Sequence, residues 1–405
     1  MSAVIANLDF VKDRNISAIF RAIVEHGEIS RIQIARYCQL AAGSVTRITR
    51  HLIDAGLIRE VEQQSSERGR PAVSLTAEAN KIQILAVSAG RGHIHYGLCN
   101  LNGELQAEHM ELLTARDQSA YTRQLVDGVQ WFINQQALAI KKIVGIGVTT
   151  PGLVNSDTGV IHYMPHLKVD SLPLVDEMSN ATGLPCYINN FTSAMALAEH
   201  QLGVGKRSMN SVMVSVHNGV GSGMILDGKL YEGSALAAGE IGHIQIDPLG
   251  KRCYCGNFGC LEMLVSNRVI ESHCCQQLQA GAVSCLSDSA DINDICQAAN
   301  EGDQLAIELL KKAASDLGKV IAMSVNLLSP DQIILAGEIS QASRIIHPVI
   351  RHCLRSQTVS FIDGNEVKIV NSELYDSRWM GAYALVRRAL LEQGLLWQML
   401  KQKNE

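Results

Sequence analysis

The sequence predicts an α/β protein with a winged helix-turn-helix at its N-terminus. Residues 15–56 contain three short runs with apolar residues at helical spacing, and a strand, a polar loop and a returning strand follow them. From residue 82 onward, apolar strand-like runs alternate with amphipathic helical runs, which is the pattern of an α/β fold. The 405 residues, 47% of them hydrophobic, are enough to bury more than one core.

The three N-terminal runs have the end signals of helices. The first, NISAIFRAIVEHG, stops at Gly27, and the second, ISRIQIARYCQL, begins at the N-cap candidate Ser30. The third, SVTRITRHLIDAGLI, opens on Ser44 and ends at Gly56, so a tight turn joins the last two helices. Hydroxyls and arginines on its outward face suit base edges and phosphates, although a solvated helix face is the alternative. The candidate DNA contacts on this helix are Ser44, Thr46, Arg47, Thr49 and Arg50.

The segment LIREVEQQSSERGRPAVSL predicts the wing. Its tip carries Arg68, Gly69 and Arg70 before Pro71, and two arginines around a glycine can enter a narrow minor groove. Residues 1–75 carry ten basic and eight acidic residues, a net charge of +2, and the rest of the chain has a net charge of −7. The combined pattern favours a DNA-binding head over a purely structural domain. The short segment 76–82 predicts a linker that couples this head to the body.

The composition of the chain indicates its cellular compartment. No stretch has the apolar length needed to span a bilayer, and the first residues lack the apolar core of a signal peptide. We therefore expect a soluble, cytoplasmic protein without membrane insertion. In that compartment the eleven cysteines are expected to be reduced thiols, most of them buried and some of them metal ligands.

The stretch GHIQIDPLGKRCYCGNFGCLE predicts a metal site. His243, Cys253, Cys255 and Cys260 offer three thiolates and one imidazole, which satisfy tetrahedral zinc with no open position. We therefore expect one structural zinc ion per chain. Unliganded buried cysteines are one alternative, and a DNA-reading finger is disfavoured because no recognition helix lies between the ligands.

The whole chain resembles the ROK family of repressors and sugar kinases. The resemblance is most specific in GEIGHIQIDPLGKRCYCGNFGCLE, and SRIQIA, SVTRITR and RGRPA match the repressor branch. HYMPHLKV and CGNFGCLE resemble its amino-sugar-responsive members. The resemblance implies an actin-like fold of two RNase-H-like lobes around a sugar cleft. The expected parts are a head at 1–80, a first lobe at 81–200, and a second lobe at 201–387 that carries the zinc loop and an oligomerisation surface.

The C-terminal run ALLEQGLLWQMLKQKNE predicts one amphipathic helix with Leu391, Leu395 and Leu396 among its apolar positions. We expect the segment 388–405 to pack back on the first lobe. Two interpretations of this helix stay open: a coupling element between body and head, and ordinary packing within the lobe.

The resemblance also implies which residues bind the sugar. In family members that bind sugars, the residues that match Glu240, His243 and Glu262 contact the ring, with the zinc loop holding them in place. Asn190 matches a residue that binds ring hydroxyls. Gly152 and His166 match pocket-lining positions, and either is alternatively a turn residue.

Three departures from the kinase pattern predict that the protein is not an enzyme. The kinase turn Asp-x-Gly-Gly-Thr is replaced by residues 88–92, SAGRG, which have no carboxylate for magnesium. His217 and Asn218 stand where kinases have Gly-Thr, and bulk at His217 crowds a nucleotide phosphate. The Asn-Asp pair that contains the catalytic base is Asn190 and Phe191, and phenylalanine cannot accept a proton.

The same departures suggest the effector. An uncharged Phe191 removes the repulsion that aspartate exerts on a 6-phosphate, and Arg91 or His217 offers it a positive partner. The leading hypothesis is a repressor of amino-sugar uptake and catabolism genes, bound as a homodimer or homotetramer to operator DNA and released by N-acetylglucosamine 6-phosphate. The alternatives are a glucose-responsive repressor sequestered by a membrane phosphotransferase transporter, and a sugar kinase with an added DNA-binding head.

Overall fold

A computed structural model gives the architecture. It describes residues 8–62, 73–90, 92–136, 143–164, 167–234, 237–359 and 367–402. The chain divides into two compact units, one formed by Met1–Asn189 with Ala382–Glu405 and the other by Asn190–Gly381. The three-part division expected from the sequence, with boundaries at 80, 200 and 387, stays a prediction.

The first unit begins with the elements of a winged helix-turn-helix. A three-stranded sheet of order β1-β3-β2 packs beside the three helices, and all of its strand pairs are antiparallel. Strand β1 lies between the first two helices in the chain, and β2 and β3 come after the third. The elements are α1 (Leu8–His26), β1 (Ile29–Ser30), α2 (Arg31–Tyr37), α3 (Ala42–Asp54), β2 (Ile58–Glu62) and β3 (Val73–Ala77). The apolar face of α3 that the sequence predicts is present, since Val45, Ile48 and Leu52 are buried.

The rest of the first unit contains a five-stranded sheet of order β10-β7-β4-β5-β6, a two-stranded sheet of β8 and β9, two helices between the strands, and the C-terminal residues Ala382–Glu405. Tyr96, Leu125 and Phe132 lie in the core between this sheet and α4. The elements are β4 (Gln83–Ala89), β5 (His93–Asn100), β6 (Leu105–Leu112), α4 (Gln118–Gln135), β7 (Ile143–Thr150), β8 (Leu153–Asn155), β9 (Val160–Tyr163), α5 (Leu174–Thr182) and β10 (Cys186–Asn190).

The second unit has a sheet of order β13-β12-β11-β14-β15 and a helical core. Its elements are α6 (Phe191–Leu202), β11 (Ser211–Val216), β12 (Val220–Leu226), β13 (Lys229–Tyr231), α7 (Glu262–Val265), α8 (Asn267–Gln279), α9 (Ile292–Glu301), α10 (Gln304–Leu328), β14 (Gln332–Ala336), α11 (Ser343–Gln357) and β15 (Lys368–Asn371). The chain then continues through α12 (Met380–Glu392) and α13 (Leu395–Gln402).

The two large sheets repeat one arrangement. Strands β4, β5 and β6 form an antiparallel meander and β7 pairs parallel to β4. Strands β11, β12 and β13 form the same meander and β14 pairs parallel to β11. This repeated pattern confirms the predicted α/β body of two related halves. Among the residues that the structure describes, no helix combines the length and apolar character needed to cross a bilayer.

Two helix ends differ from the sequence-based expectation. Helix α3 begins at Ala42 rather than at Ser44, with Ala41 as an N-cap whose side chain makes no capping hydrogen bond. The predicted C-terminal helix is two helices, because Gly394 has a φ of +87°, a left-handed conformation that interrupts α-helix. Helix α13 packs against α1, and Arg21 of α1 lies 3.1 Å from the carboxylate of Glu392 at the end of α12.

A buried carboxylate organises the second unit. Glu199 on α6 is 0% exposed, and its Oε1 accepts hydrogen bonds from the Ser372 hydroxyl and from the backbone N–H groups of Glu373 and Leu374. Its Oε2 accepts a hydrogen bond from the N–H of Val204 at 3.0 Å. Four donors compensate the loss of hydration of this side chain. The segment after β15 is therefore fixed to α6.

We predict that Glu199→Ala lowers the free energy of unfolding by about 3 kcal/mol, because four hydrogen-bond donors lose their buried acceptor. Urea denaturation followed by circular dichroism measures the change. Glu308→Ala, on the exposed face of α10, is the matched control and should change stability by less than about 0.5 kcal/mol. Equal effects of the two substitutions would show that the Glu199 contacts are not stabilising.

Candidate functional site

The helix-turn-helix presents an exposed basic face. Ser30 is the N-cap of α2, as the sequence predicts, and it forms a reciprocal capping box with Gln33. On α3, Thr46, Arg47 and Arg50 are exposed and Ser44 is partly exposed. These four candidate DNA contacts share one side of the helix, opposite its buried apolar stripe.

Thr49 does not belong to this face, and its predicted outward orientation is wrong. The side chain is 0% exposed, and its hydroxyl accepts a hydrogen bond from Arg31 Nε at 3.0 Å and donates to the Thr46 carbonyl at 3.2 Å. A hydroxyl satisfied in this way is part of the α2–α3 packing. The wing-tip candidates Arg68, Gly69 and Arg70 lie outside the described residues.

A groove next to α3 is lined in part by cationic side chains that the sequence reasoning missed. Its volume is about 840 Å³, and Arg31, Thr46, Arg50, Arg59 and Lys81 contribute to its lining. Arg31 pairs with Glu60 at 2.7 Å, and Arg59 pairs with Glu78 at 2.8 Å. Arg31 lies on α2 and Arg59 on β2. The local sequence did not mark either residue as a DNA contact, because only the fold brings α2 and β2 beside α3.

The metal loop brings its four predicted ligands together. One donor atom from each of His243, Cys253, Cys255 and Cys260 lies within 4.8 Å of the other three. His243 Nδ1 is 3.6 Å from Cys253 Sγ, and Cys255 Sγ is 3.6 Å from Cys260 Sγ. A zinc ion with Zn–S distances of about 2.3 Å would separate tetrahedral ligands by about 3.6–3.8 Å. The donor set and its spacing therefore fit zinc.

Backbone hydrogen bonds fold the loop onto itself. The Cys253 N–H donates to the Asn257 carbonyl at 2.7 Å, and the Ile246 N–H donates to the Gly259 carbonyl at 2.8 Å. Gly259 has a φ of +61°, and a Cβ there would overlap the carbonyl oxygen of Asp247. Only glycine fits this crossing, which sets Cys260 beside the other ligands.

The three thiols differ in their acidity. Burial raises the pKa of the Cys253 thiol and raises that of Cys260 to about 12. Burial also raises the pKa of Cys255, but hydrogen bonds from the Asn257 backbone and the neighbouring thiols outweigh it, so the net direction is downward. Because a metal binds the thiolate form, binding at this cluster releases protons.

The structure resolves which His243 nitrogen faces the thiols. Nδ1 is directed at Cys253, while Nε2 is 3.2 Å from the Tyr254 hydroxyl and 3.8 Å from Glu240 Oε2. With Nδ1 on a metal, Nε2 carries the proton and is available as a donor. Glu240 is exposed beside it.

The other predicted sugar ligands of the second unit occupy defined positions. Glu262 is 7% exposed, and its Oε2 accepts a hydrogen bond from the Val220 N–H at 3.0 Å. Asn190 is the N-cap of α6, where its Oδ1 accepts a hydrogen bond from the Thr192 N–H at 2.9 Å. Both residues are thus oriented by backbone groups.

The first unit holds the remaining candidates. Gly152 follows β7, where its backbone passes so close to Tyr163 that a Cβ would overlap the Tyr163 carbonyl oxygen. This close packing is sufficient to explain why the residue is glycine, with no need for a bound ligand. Arg91 and His166 lie outside the described residues.

A charged cluster at His217 was not foreseen from the sequence. Its members are Glu338, His217, Asn267 and Arg378, which we call the Glu338 cluster. Glu338 Oε2 is 2.6 Å from His217 Nδ1 and accepts a hydrogen bond from Asn267 Nδ2 at 2.8 Å. Arg378 lies 3.8 Å from Glu338 Oε1. Burial raises the pKa of Glu338, but the His217 and Asn267 contacts outweigh it and lower the pKa to about 2.

Comparison with known proteins decides the family. The family model for the ROK family matches residues 84–389. The chain belongs to the ROK family. Over 400 residues, 98% of each chain, it is 40% identical to the N-acetylglucosamine repressor of Escherichia coli O6:H1 and to the DNA-binding transcriptional dual regulator NagC of Escherichia coli K12. It is 31% identical over 398 residues, again 98% of each chain, to the repressor Mlc of Escherichia coli K12.

Solved structures of ROK proteins support the same fold. A ROK family transcriptional regulator, described as a homologue of Escherichia coli Mlc, matches with a TM-score of 0.89 and 38% identity over 96% of this chain and 99% of that one. A ROK hexokinase from Thermus thermophilus matches with a TM-score of 0.61 and 24% identity over 76% of this chain and 97% of that one. These matches confirm the actin-like ROK body predicted from the sequence.

Proposed function

We propose that this ROK protein is a transcriptional repressor of amino-sugar genes that leaves its operator when it binds N-acetylglucosamine 6-phosphate. The observation that carries the proposal is the combination of two features in one chain. A helix-turn-helix with an exposed face of Thr46, Arg47 and Arg50 precedes a ROK body in which, by resemblance to the kinases of the family, Phe191 stands at the position of the catalytic base. The 40% identity to N-acetylglucosamine repressors over nearly the whole chain supports it.

The proposed function excludes sugar-kinase activity. Phosphoryl transfer to a sugar hydroxyl needs a group that accepts its proton, and the side chain of Phe191 has none. His217 also fills the turn after β11, where its imidazole is held by Glu338. The relatives described above, which match over 98% of the chain, are transcriptional repressors and a transcriptional dual regulator, which supports a binding function.

The metal has a structural role in this proposal. We assign zinc to His243, Cys253, Cys255 and Cys260, where it would supply a rigid four-coordinate centre without an open position for catalysis. His243 then directs Nε2 away from the metal, towards the side on which Glu240 is exposed. Glu240, His243 and Glu262 bind sugar hydroxyls, and Asn190 binds the ring from the start of α6.

The DNA-bound form is a homodimer or homotetramer with two heads on operator half-sites. Ser44, Thr46, Arg47 and Arg50 contact the major groove, and Arg68, Gly69 and Arg70 of the wing contact the minor groove. The effector lowers operator affinity because it binds the released state more tightly than the DNA-bound state.

We predict one zinc ion per chain in the purified protein, measured by plasma mass spectrometry of gel-filtered material. Cys260→Ala removes a ligand and should abolish zinc retention and lower the melting temperature. Cys285→Ala, at an exposed cysteine outside the cluster, should retain the metal. Zinc-free wild-type protein with unchanged stability would rule out the structural role.

We predict that Arg47→Ala and Arg50→Ala each weaken binding to DNA fragments selected by the wild-type protein from a random pool. The expected loss is roughly 10- to 100-fold, because each side chain contributes a base or phosphate contact. Fluorescence anisotropy measures the affinity, and Arg123→Ala on the exposed side of α4 is the control.

The same DNA complex tests effector release. N-acetylglucosamine 6-phosphate should weaken DNA binding by roughly 5- to 150-fold, the usual range of allosteric coupling, and glucose should leave it unchanged. Wild-type protein that selects no DNA, or whose DNA complex resists every sugar and sugar phosphate, would contradict the proposed function.

A further inference from the structure

The Glu338 cluster lies where the parallel strands of the second unit end. His217 follows β11, Glu338 comes two residues after β14, and Arg378 lies in the segment after β15. Strands β11, β14 and β15 are parallel neighbours, so their carboxyl ends meet at one edge of the sheet. In open α/β sheets this edge is where ligands bind.

The cluster contains an arginine and a histidine that are both partly exposed, and one internal anion. The side chains of His217 and Arg378 are 38% and 32% exposed, whereas that of Glu338 is 15% exposed. Glu338 engages His217 Nδ1, so Nε2 is the ring nitrogen that remains for a ligand, and it donates a hydrogen bond when the ring is protonated. His217 and Arg378 therefore both contact Glu338 and are both partly exposed.

A buried acceptor beside the cluster has no partner among the described residues. Asn267 is 2% exposed, and its Oδ1 makes no hydrogen bond. Its Nδ2 must face Glu338, since the opposite amide orientation would place two acceptors together. An unsatisfied buried acceptor at the edge of a charged cluster is typical of a site that a ligand or ordered water completes.

A row of aromatic contacts connects the cluster to the start of α6. The Arg378 guanidinium lies over the Tyr375 ring, 5.0 Å from its centroid. Tyr375 is 7% exposed, and its ring meets Phe191 edge-on at 5.9 Å between centroids. Phe191 directly follows Asn190, the predicted ligand of ring hydroxyls. The cationic end of this row is thus two side chains away from the residue at the former catalytic-base position.

The cluster also adjoins the carboxylate side of the proposed sugar site. The Asn267 N–H donates to the His217 carbonyl at 2.9 Å, and the Val220 N–H donates to Glu262 at 3.0 Å. The three-residue turn that begins at His217 leads into Val220 and therefore connects the cluster directly to Glu262. A sugar held by Glu262 and Asn190 would have the cluster as its neighbour within the same unit.

We propose that His217 and Arg378 form the phosphate subsite for the effector, and that Glu338 occupies this subsite as an internal anion until the phosphate displaces it. This inference rests on the proposed sugar-phosphate effector. A phosphate monoester offers three acceptor oxygens, which suit an arginine fork and a protonated imidazole better than one carboxylate oxygen does. Ligand binding thus exchanges an internal ion pair for an external one.

The chain connects this subsite to the DNA-binding head through helix α12. Arg378 lies two residues before α12, and Glu392 at the end of α12 pairs with Arg21 of α1. Release of Glu338 from Arg378 changes what holds the start of α12. The subsite is therefore positioned to act on the helix whose other end contacts the first helix of the head.

Isothermal titration calorimetry of the full-length protein tests the subsite. The ligands are N-acetylglucosamine 6-phosphate, N-acetylglucosamine, inorganic phosphate and ATP. Arg378→Met should weaken binding of N-acetylglucosamine 6-phosphate by roughly tenfold or more, the usual loss for a charge-assisted contact, and leave N-acetylglucosamine unchanged. Glu338→Gln removes the competing charge. It should strengthen binding of N-acetylglucosamine 6-phosphate and leave the affinity for N-acetylglucosamine unchanged. Arg344→Met, at an exposed position of the same unit, should behave as wild type.

The outcomes separate the subsite from the proposed function. If the sugar phosphate still releases DNA and Arg378→Met leaves its affinity unchanged, or lowers both sugar affinities equally, the subsite is overturned and the repressor function stands. Binding of ATP, or of inorganic phosphate with no preference for the sugar phosphate, overturns the subsite as well. If the wild-type protein neither binds an amino sugar nor selects DNA, the proposed function itself fails.

Discussion

The convergence of four donor atoms within 4.8 Å is the constraint on which the proposed sugar site depends. Closing the loop between His243 and Cys260 fixes the chain direction at Leu261, whose N–H donates to the Ile244 carbonyl at 2.9 Å. Helix α7 then begins at Glu262, and this carboxylate accepts a hydrogen bond from Val220. The metal loop thus sets the position of Glu262, a proposed sugar ligand, and, through Val220, of the turn that carries His217.

The second unit balances its charges with internal partners. Glu199 accepts hydrogen bonds from four donors, and in this way it fixes the segment that contains Tyr375 and Arg378. Glu338 is held by His217 and Asn267 at the edge of the sheet. A buried carboxylate is stable only with such partners, and an accessible arginine and histidine beside it can exchange that carboxylate for an external anion. The fold of a sugar kinase can therefore support a regulatory site without nucleotide chemistry.

Local signals in the sequence predicted much of this structure, and long-range contacts explain what they missed. The Ser30 cap and the ligand set of the metal loop depend on residues close in the chain, and both predictions agree with the structure. The start of α3 was misplaced because Ala41 caps it without a side-chain signal. Thr49 was assigned to the DNA face because its partner, Arg31, lies 18 residues away. Glu338 meets His217 across 121 residues, so only the fold brings them together.

The central claim is that a former phosphotransfer fold now reads a phosphorylated sugar and no longer makes one. Phosphorus NMR of the purified protein with ATP, magnesium and N-acetylglucosamine, followed by addition of N-acetylglucosamine 6-phosphate, tests this claim most directly. The account predicts that the ATP signals persist unchanged and that the sugar-phosphate signal broadens or shifts as it binds. Steady conversion of ATP to ADP with formation of a sugar phosphate would contradict it.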